Sequence, residues 1–113
     1  MTTSFTPIFE PQVLGTLVAT IGSVPSAPTS TILVGGRVRF ANTDSAPHAV
    51  TLYAVPPAAA PGVGNAQMNA ETIGANSHKD VDIPLLPAGG SIQALADAAG
   101  LVTISQIAGA LVS

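Results

Sequence analysis

The stretch STILVGGRVRFANTDS, residues 30–45, alternates apolar and polar side chains more regularly than any other part of the chain. Side chains on a β-strand point alternately to the two faces of a sheet, so this pattern predicts a strand with one buried face. One parity holds the apolar residues Ile32, Val34, Val38 and Phe40. Gly35 and Gly36 interrupt the run and predict a bulge, a bend or a turn between two short strands.

The residues that follow predict a turn and a second strand. NTDS, residues 42–45, is typical of a turn, since Asn, Asp and Ser side chains hydrogen-bond their own backbone. HAVTLYAVPP, residues 48–57, then places Val50, Leu52 and Ala54 on one face of a strand. The two prolines end this strand, because proline has no N–H to donate to a neighbouring strand.

Two aspartates alternate with apolar residues in DVDIPL, residues 80–85. The spacing predicts that the apolar residues point inward; they are Val81, Ile83 and Leu85. Asp80 and Asp82 then point outward, either to solvent or to the chain's two arginines, Arg37 and Arg39. In the second case, the acids and the arginines face each other across neighbouring strands.

Three further segments complete the strand pattern. VLGTLVATIGSV, residues 13–24, is rich in β-branched residues and predicts a strand over most of its length. SIQALADA, residues 91–98, fits helical and strand spacing alike; we favour a strand, because a helix of about eight residues is marginal in water. LVTISQIAGALV, residues 101–112, predicts a closing strand with a kink at Gly109.

The overall pattern predicts an all-β chain. About seven or eight short strands, separated by turn signals, describe a single antiparallel β-sandwich or jelly-roll-like domain, which we assign to residues 13–113. The spacing of the strands does not distinguish a sandwich of another strand order from a jelly roll. Residues 1–12 contain Pro7 and Pro11 and predict an extended N-terminal arm, because prolines at this spacing prevent a regular ladder of hydrogen bonds.

Two segments are candidates for contacts with other subunits. The arm presents the apolar side chains of Phe5, Ile8 and Phe9. The segment 56–67 has no periodicity and predicts a long exposed loop, the usual place for variable contacts. Its candidate contact residues are Pro57, Pro61 and Val63.

The composition favours a chain that is covered by other protein subunits. Only 8% of its 113 residues are charged, against about 25% in an average domain, and the mean hydropathy is +0.51. Large apolar surfaces on a domain usually mark interfaces. The net charge of −3, with three Lys and Arg residues, offers no basic stripe for phosphates, so we expect no direct contact with nucleic acid.

The sequence also argues against a membrane segment and a secretion signal. No basic start followed by an apolar run is visible at the N-terminus, so we expect no signal peptide. The most hydrophobic region, residues 101–113, is too short and too often interrupted by polar residues to span a bilayer. The absence of cysteine excludes disulfides and thiolate metal sites.

We predict no catalytic, cofactor-binding or metal-binding residue, and therefore a protein that is not an enzyme. Neither His48 nor His78 has a second His or Cys at metal-ligand spacing. An ion site of His78 with the two nearby aspartates is an alternative, but an ordinary solvated strand start is favoured. Asp44 is interpreted as a turn residue, and Tyr53 as a half-buried packing residue. No nucleophile elbow or phosphate-binding glycine motif is present.

A strand that ends in Ala-Asn-Thr, residues 41–43, is followed by a strand that carries Val-Thr-Leu, residues 50–52. Leu-Pro-Ala-Gly, residues 86–89, then leads into a strand and a closing strand that begins Val-Thr-Ile at residues 102–104. In this order, residues 30–112 resemble a group of small virion proteins of tailed bacteriophages that have a β-sandwich fold. The resemblance implies that SIQALADA is a strand, and it implies a structural role in the virion.

The expected function is therefore that of a structural protein of a tailed-bacteriophage virion. The resemblance implies a capsid decoration or cement protein, often trimeric, whose partners are the major capsid protein or other virion subunits. A neck, tail or baseplate component is the alternative within the same class. A glycan-binding surface module is the alternative from another class, although the chain has no Trp and only one Tyr on which a sugar could stack.

Overall fold

The computed structural model describes residues 3–4, 9–25 and 32–112, and gives only the backbone at residues 3, 4, 110 and 112. The described chain is all-β, as the sequence predicts, and the first six residues of SIQALADA form a strand, Ser91–Ala96. Its elements are β1 Thr3–Ser4, β2 Gln12–Val13, β3 Ala19–Ser23, β4 Ile32–Asn42, β5 His48–Val55, a 3₁₀ turn Val63–Asn65, β6 Ala66–Ile73, β7 Ser77–Asp82, β8 Ser91–Ala96 and β9 Val102–Val112.

The strands form two antiparallel sheets that pack as a sandwich. In sheet A the order is β9, β4, β7, and both β1 and β2 pair with the other side of β9. In sheet B the order is β3, β8, β5, β6. Strands β4 and β5, β6 and β7, and β8 and β9 are consecutive in the chain but lie in different sheets, so the chain crosses between the sheets at each of these connections.

The strand order is that of a jelly roll. The pairs β5–β6, β4–β7, β3–β8 and β2–β9 are the successive rungs of one long antiparallel hairpin with its tip between β5 and β6. This hairpin is rolled so that β9 also pairs with β4, and β8 also pairs with β5. Rolling brings the apolar faces of the two sheets together, and the topology that the sequence left open is thereby decided.

The core lies between the sheets and includes the residues that the alternation predicts on β5, together with Val38 and Phe40 of β4. Phe40, Leu52, Ile92 and Ile104 are almost completely buried. Phe9 belongs to the same core, with 6% of its surface exposed. The core therefore begins before residue 13, and the predicted boundary between arm and sandwich falls inside β2.

The glycine pair forms a bulge in β4 rather than a turn. Val34 lies opposite Ala110, but the next paired residue of β4, Arg37, lies opposite Ala108, so β4 contains one extra residue at this point. An extra residue reverses the face on which side chains lie. Leu33 is therefore buried and Val34 is exposed, and the prediction that Ile32 and Val34 share the buried face of Val38 and Phe40 is wrong.

Two other local predictions are wrong for related reasons. The segment 13–24 is not mostly one strand, because residues 14–18 carry the chain from β2 in sheet A to β3 in sheet B. Leu85 is 60% exposed, whereas Leu86 is buried. Leu86 exchanges two backbone hydrogen bonds with Leu33, at 2.8 and 3.1 Å, and this pairing turns Leu86 instead of Leu85 toward the core.

Four connections meet at one end of the sandwich, which we call the clamped end: residues 14–18, 43–47, 74–76 and 97–101. Backbone hydrogen bonds join these connections in two pairs, 43–47 with 74–76 and 14–18 with 97–101. Asn76 donates to the carbonyl of Asp44 at 3.0 Å, and Gly100 donates to the carbonyl of Leu14 at 3.1 Å. The connection 56–62 and the start of β4 lie at the opposite end.

Candidate interaction surface

The charged side chains of the chain are used mainly to pair with one another. Arg37 on β4 contacts Asp82 on β7 at 2.7 Å, and Arg39 contacts Asp80 at 2.8 Å. Of the two alternatives that the sequence left open for the aspartates, solvent or the arginines, the structure shows the pairing with the arginines. Lys79 pairs with Glu71 of β6. Asp44 and Asp97 both pair with His48. Eight of the nine Lys, Arg, Asp and Glu side chains therefore lie in ion pairs, and few unpaired charged side chains are left to face a partner.

The charged side chains are distributed unequally between the two sheets. Strands β4 and β7 of sheet A carry two arginines, one lysine and two aspartates. In sheet B, Glu71 is the single Lys, Arg, Asp or Glu residue in the four described strands. The outward parity of β5 and β8 instead holds uncharged side chains such as those of Thr51, Tyr53 and Gln93. The outer face of sheet B is thus the charge-poor face of the domain.

Large apolar side chains are exposed at both ends of the sandwich. At the clamped end, Leu17 is 81% exposed, and Val13 and Val18 flank it. At the opposite end, Val63 is 99% exposed and Leu85 is also exposed. A single exposed valine or leucine is ordinary. Three such side chains within the six consecutive residues 13–18, with few unpaired charges around them, are typical of a contact surface.

The structure separates the six predicted contact residues into three groups. Phe5 and Ile8 lie outside the described residues. Phe9 packs into the core of its own domain, so its side chain is already covered. Pro57, Pro61 and Val63 lie on the connection between β5 and β6, where Pro57 is exposed and Pro61 is half-buried.

Hydrogen bonds within this connection hold Val63 outward. The Asn65 side chain accepts from the Gly62 amide at 3.1 Å and donates to the Ala60 carbonyl at 3.0 Å. The amide of Asn65 also donates to the Gly62 carbonyl at 3.1 Å. Val63 therefore projects from an ordered turn.

Leu17 and Val18 were not among the predicted contact residues. The segment that carries them was interpreted as a strand, in which alternate residues are buried. Its one local signal is Gly15-Thr16, a pair that is compatible with a break between Leu14 and Leu17. Leu14 is buried while Leu17 is exposed, so the break is what brings Leu17 to the surface.

Buried Asn42 organises the clamped end. It is 1% exposed, and its amide nitrogen lies within hydrogen-bonding distance of three carbonyl oxygens: those of Ala46 at 2.9 Å, Ile73 at 3.1 Å and Gly74 at 3.1 Å. Its side-chain oxygen accepts from the amide of Asp44 at 3.0 Å. One side chain thus satisfies backbone groups from both connections that adjoin it.

His48 lies between two carboxylates. Its Nε2 is 2.7 Å from Oδ2 of Asp44, and its Nδ1 is 2.8 Å from Oδ1 of Asp97. The second oxygen of Asp97 accepts from the amide of Ala49 at 3.1 Å. The His48 side chain is 11% exposed, so solvent screens these contacts only in part. No local sequence signal pairs His48 with Asp97, since 49 residues separate them.

The pKa values follow from this arrangement. The hydrogen bonds that the His48 ring donates to Asp44 and, second, to Asp97 raise the pKa of His48 above its ordinary value of 6.5. The hydrogen bond that Asp44 accepts from His48 lowers the pKa of Asp44 below 3.8. The pKa of Asp97 is also lowered, chiefly by the hydrogen bond from the Ala49 amide. All three groups therefore favour their charged forms.

The geometry of this cluster is that of a structural clamp. Both ring nitrogens of His48 are occupied by carboxylates, so neither is placed to accept a proton from a substrate. Within the described part of the chain, no group of three or more His, Cys, Asp or Glu side chains could hold a metal ion. The described residues also contain no helix that is long and apolar enough to cross a bilayer.

Two shallow recesses lie on the surface. One, of about 210 Å³, is lined by Tyr53, Val63, Ala66 and Asn69. The other, of about 370 Å³, lies at the clamped end beside Arg39, Ser77 and His78, and it is open to solvent. Arg39 is already engaged by Asp80 through two hydrogen bonds, so it is not a free cation for an anionic ligand.

Comparison of the chain with protein-family models, with curated proteins and with solved structures gave no match.

Proposed function

We propose that this chain is a structural subunit of a tailed-bacteriophage virion that works by contacting neighbouring subunits and has no catalytic role. The observation that carries the proposal is the combination of exposed apolar side chains, Leu17 and Val63 above all, with charges that neutralise one another within the domain. A domain with so little free surface charge has weak protection against association. Contacts with other subunits would cover these side chains.

Within the virion, we propose that the chain is a capsid decoration or cement protein that contacts the major capsid protein. A homotrimer is the favoured assembly. It is supported by the likeness of residues 30–112 to small phage virion proteins and by the jelly-roll topology. Jelly rolls build many viral capsid domains, although the same fold also serves other functions. The alternative within this class is a neck, tail or baseplate component.

The proposal is tested with purified particles and with the recombinant chain. Leu17→Ser and Val63→Ser each replace an exposed apolar side chain at small cost to the fold, and Thr72→Ser is a matched exposed control on β6. We expect the two apolar variants to bind particles less and to self-associate less, while the control behaves as wild type. Particle binding is measured by co-sedimentation and assembly by light scattering. A wild-type chain that stays monomeric when concentrated and binds no particle would refute the proposal.

Copy number distinguishes the two positions in the virion. A decoration protein is present in hundreds of copies, of order the number of shell subunits, whereas a neck ring has about the copy number of a small closed symmetry. Quantification of the band in gels of purified particles therefore decides between head and neck.

The recess beside Tyr53 favours glycan binding as a second candidate function. Tyr53 is half-buried on the charge-poor face of sheet B, and Asn69 lines the same recess. An aromatic ring next to an amide provides the stacking and hydrogen-bonding groups that neutral sugars use. A glycan array tests it: binding that is lost in Tyr53→Ala and kept in Tyr53→Phe supports it, and an array without binding refutes it.

A further inference from the structure

We propose that Asp44, His48 and Asp97 form a pH-operated latch, in which the protonated His48 ring links two strand connections and the neutral ring loses one of these two links.

The geometry requires two ring protons. Both nitrogens of His48 lie within 2.8 Å of a carboxylate oxygen, and an ionised carboxylate can only accept hydrogen bonds. Imidazolium has two N–H donors and satisfies both partners, but neutral imidazole has one. After loss of one proton, a nitrogen lone pair faces a carboxylate, and that contact becomes unfavourable. A single deprotonation therefore breaks one of the two links.

The remaining surroundings of His48 supply no competing charge. On β6, Ile73 lies opposite His48, and the one ionisable residue of that strand, Glu71, is paired with Lys79. Strand β8, on the other side of β5, contains no ionisable residue. The arginines of β4 are paired with the aspartates of β7. Among the described residues, the charged groups that face His48 are thus Asp44, from the connection 43–47, and Asp97, from the connection 97–101.

The latch also reaches the exposed apolar residues of the clamped end. Ala96, next to Asp97, donates to the carbonyl of Gly15 at 2.9 Å, and Gly100 donates to the carbonyl of Leu14 at 3.1 Å. These bonds fasten the segment 14–18 to the connection that Asp97 anchors. The Ala49 amide and carbonyl also hold Asp97, at 3.1 and 3.0 Å, so loss of the His48 link removes one of the contacts that fix this connection.

The direction of the pH effect follows from the shifts. Because the pKa of His48 is raised above 6.5, the latch is fully closed below pH 6.5 and opens as the pH rises through the raised value. Because the pKa values of Asp44 and Asp97 are lowered below 3.8, the carboxylates remain ionised until the pH falls through those lowered values. The latch is closed between these two limits.

NMR titration of the full chain tests the latch. The ring signals of His48 are followed from about pH 5 to about pH 10, and His78→Gln removes the only other histidine, so the remaining signal is assigned. The backbone amides of Ser45 and Ala49 report the two connections, since each donates to one of the latch carboxylates. The amide of Ile92, within β8, is the reference that should not respond.

We expect His48 to titrate with a midpoint above 6.5 and the Ser45 and Ala49 amides to shift at that same midpoint. In His48→Gln these coupled shifts should be absent. A His48 midpoint at or below 6.5 overturns the proposal. Chemical shifts of the Ser45 and Ala49 amides that stay constant through the His48 midpoint also overturn it. If His48→Gln does not fold, the wild-type and His78→Gln titrations decide the question by themselves.

Discussion

Arg39 on β4 and Asp80 on β7 face each other across two neighbouring strands and form two parallel hydrogen bonds, Nε to Oδ1 at 2.8 Å and Nη2 to Oδ2 at 3.1 Å. Both side chains are substantially exposed, so the pair contributes little to stability. Its position matters more, because β7 is an edge strand of sheet A. Charged side chains on an edge strand oppose pairing with the sheet of another molecule. This edge is thereby protected from edge-to-edge pairing.

Truncation of Phe40 tests the core. Its side chain is completely buried on β4, between the two sheets, so Phe40→Ala loses apolar burial and leaves a cavity. We expect a loss of about 3–5 kcal/mol in the free energy of unfolding, measured by urea denaturation. Val63→Ala, at a residue that is 99% exposed, is the control and should change the stability by less than about 0.5 kcal/mol. Equal effects of the two variants would contradict the assigned core.

Asn42→Ala tests the polar organisation of the clamped end. The substitution removes the amide that serves the carbonyls of Ala46, Ile73 and Gly74, and it leaves buried acceptors without a partner. We expect a loss of about 1–3 kcal/mol in the free energy of unfolding. Thr43→Ala, at the exposed next residue, should be close to neutral. A neutral Asn42→Ala would mean that water replaces the amide without cost.

The strands were predictable from the sequence because period-two alternation is a local signal. Alternation placed the two aspartates outward but left open whether they face solvent or the arginines. The register of β4 with β7 decides this, since it puts Arg37 opposite Asp82. The exchange of Leu33 for Val34 on the buried face was not predictable. Whether Leu33 or Val34 is buried depends on where in β4 the extra residue of the bulge lies. The pairing of β4 with β9 fixes that position, and the sequence of β4 alone does not show it.

The jelly-roll order and the His48 cluster lay beyond the reach of local patterns. Strand order depends on which sheet each strand joins, and alternation is the same in either sheet. His48 could be seen to lack a metal partner nearby in the sequence, but the rolled hairpin brings Asp97 to it from 49 residues away. Leu17 was missed because its exposure follows from the crossing between the sheets at residues 14–18.

The loss of folding stability at acid pH should depend on Asp97. Because its pKa is lowered, chiefly by the Ala49 amide, its contribution is present above pH 3.8 and is lost as the pH falls through the lowered value. Asp97→Asn has no carboxylate to protonate, so its stability should fall less between about pH 5 and about pH 2. Urea denaturation across this range measures the effect. Glu10→Gln, at an exposed carboxylate, is the control. An acid slope in Asp97→Asn as steep as that of the wild type would contradict the prediction.

At Gly109, β9 lies close to the bulge of β4. Its φ of +126° is a conformation that residues with a Cβ rarely adopt, and a Cβ there would lie 3.0 Å from Cα of Gly36 and 3.3 Å from Cδ1 of Leu33. Gly109→Ala therefore combines backbone strain with a steric clash. We expect a loss of at least about 1–3 kcal/mol in the free energy of unfolding, which is the cost of the strain alone.

Two other glycines separate the strain from the clash. Gly100 also has a positive φ, of +81°, but a Cβ there would meet nothing within 4 Å, so Gly100→Ala should cost about 1–2 kcal/mol. Gly64 has open space and no positive φ, so Gly64→Ala should be nearly neutral. The expected order of destabilisation is Gly109→Ala, then Gly100→Ala, then Gly64→Ala. A Gly109→Ala variant no less stable than Gly100→Ala would show that β9 can move away from Gly36, and that the close approach of the two strands is not required by the packing of sheet A.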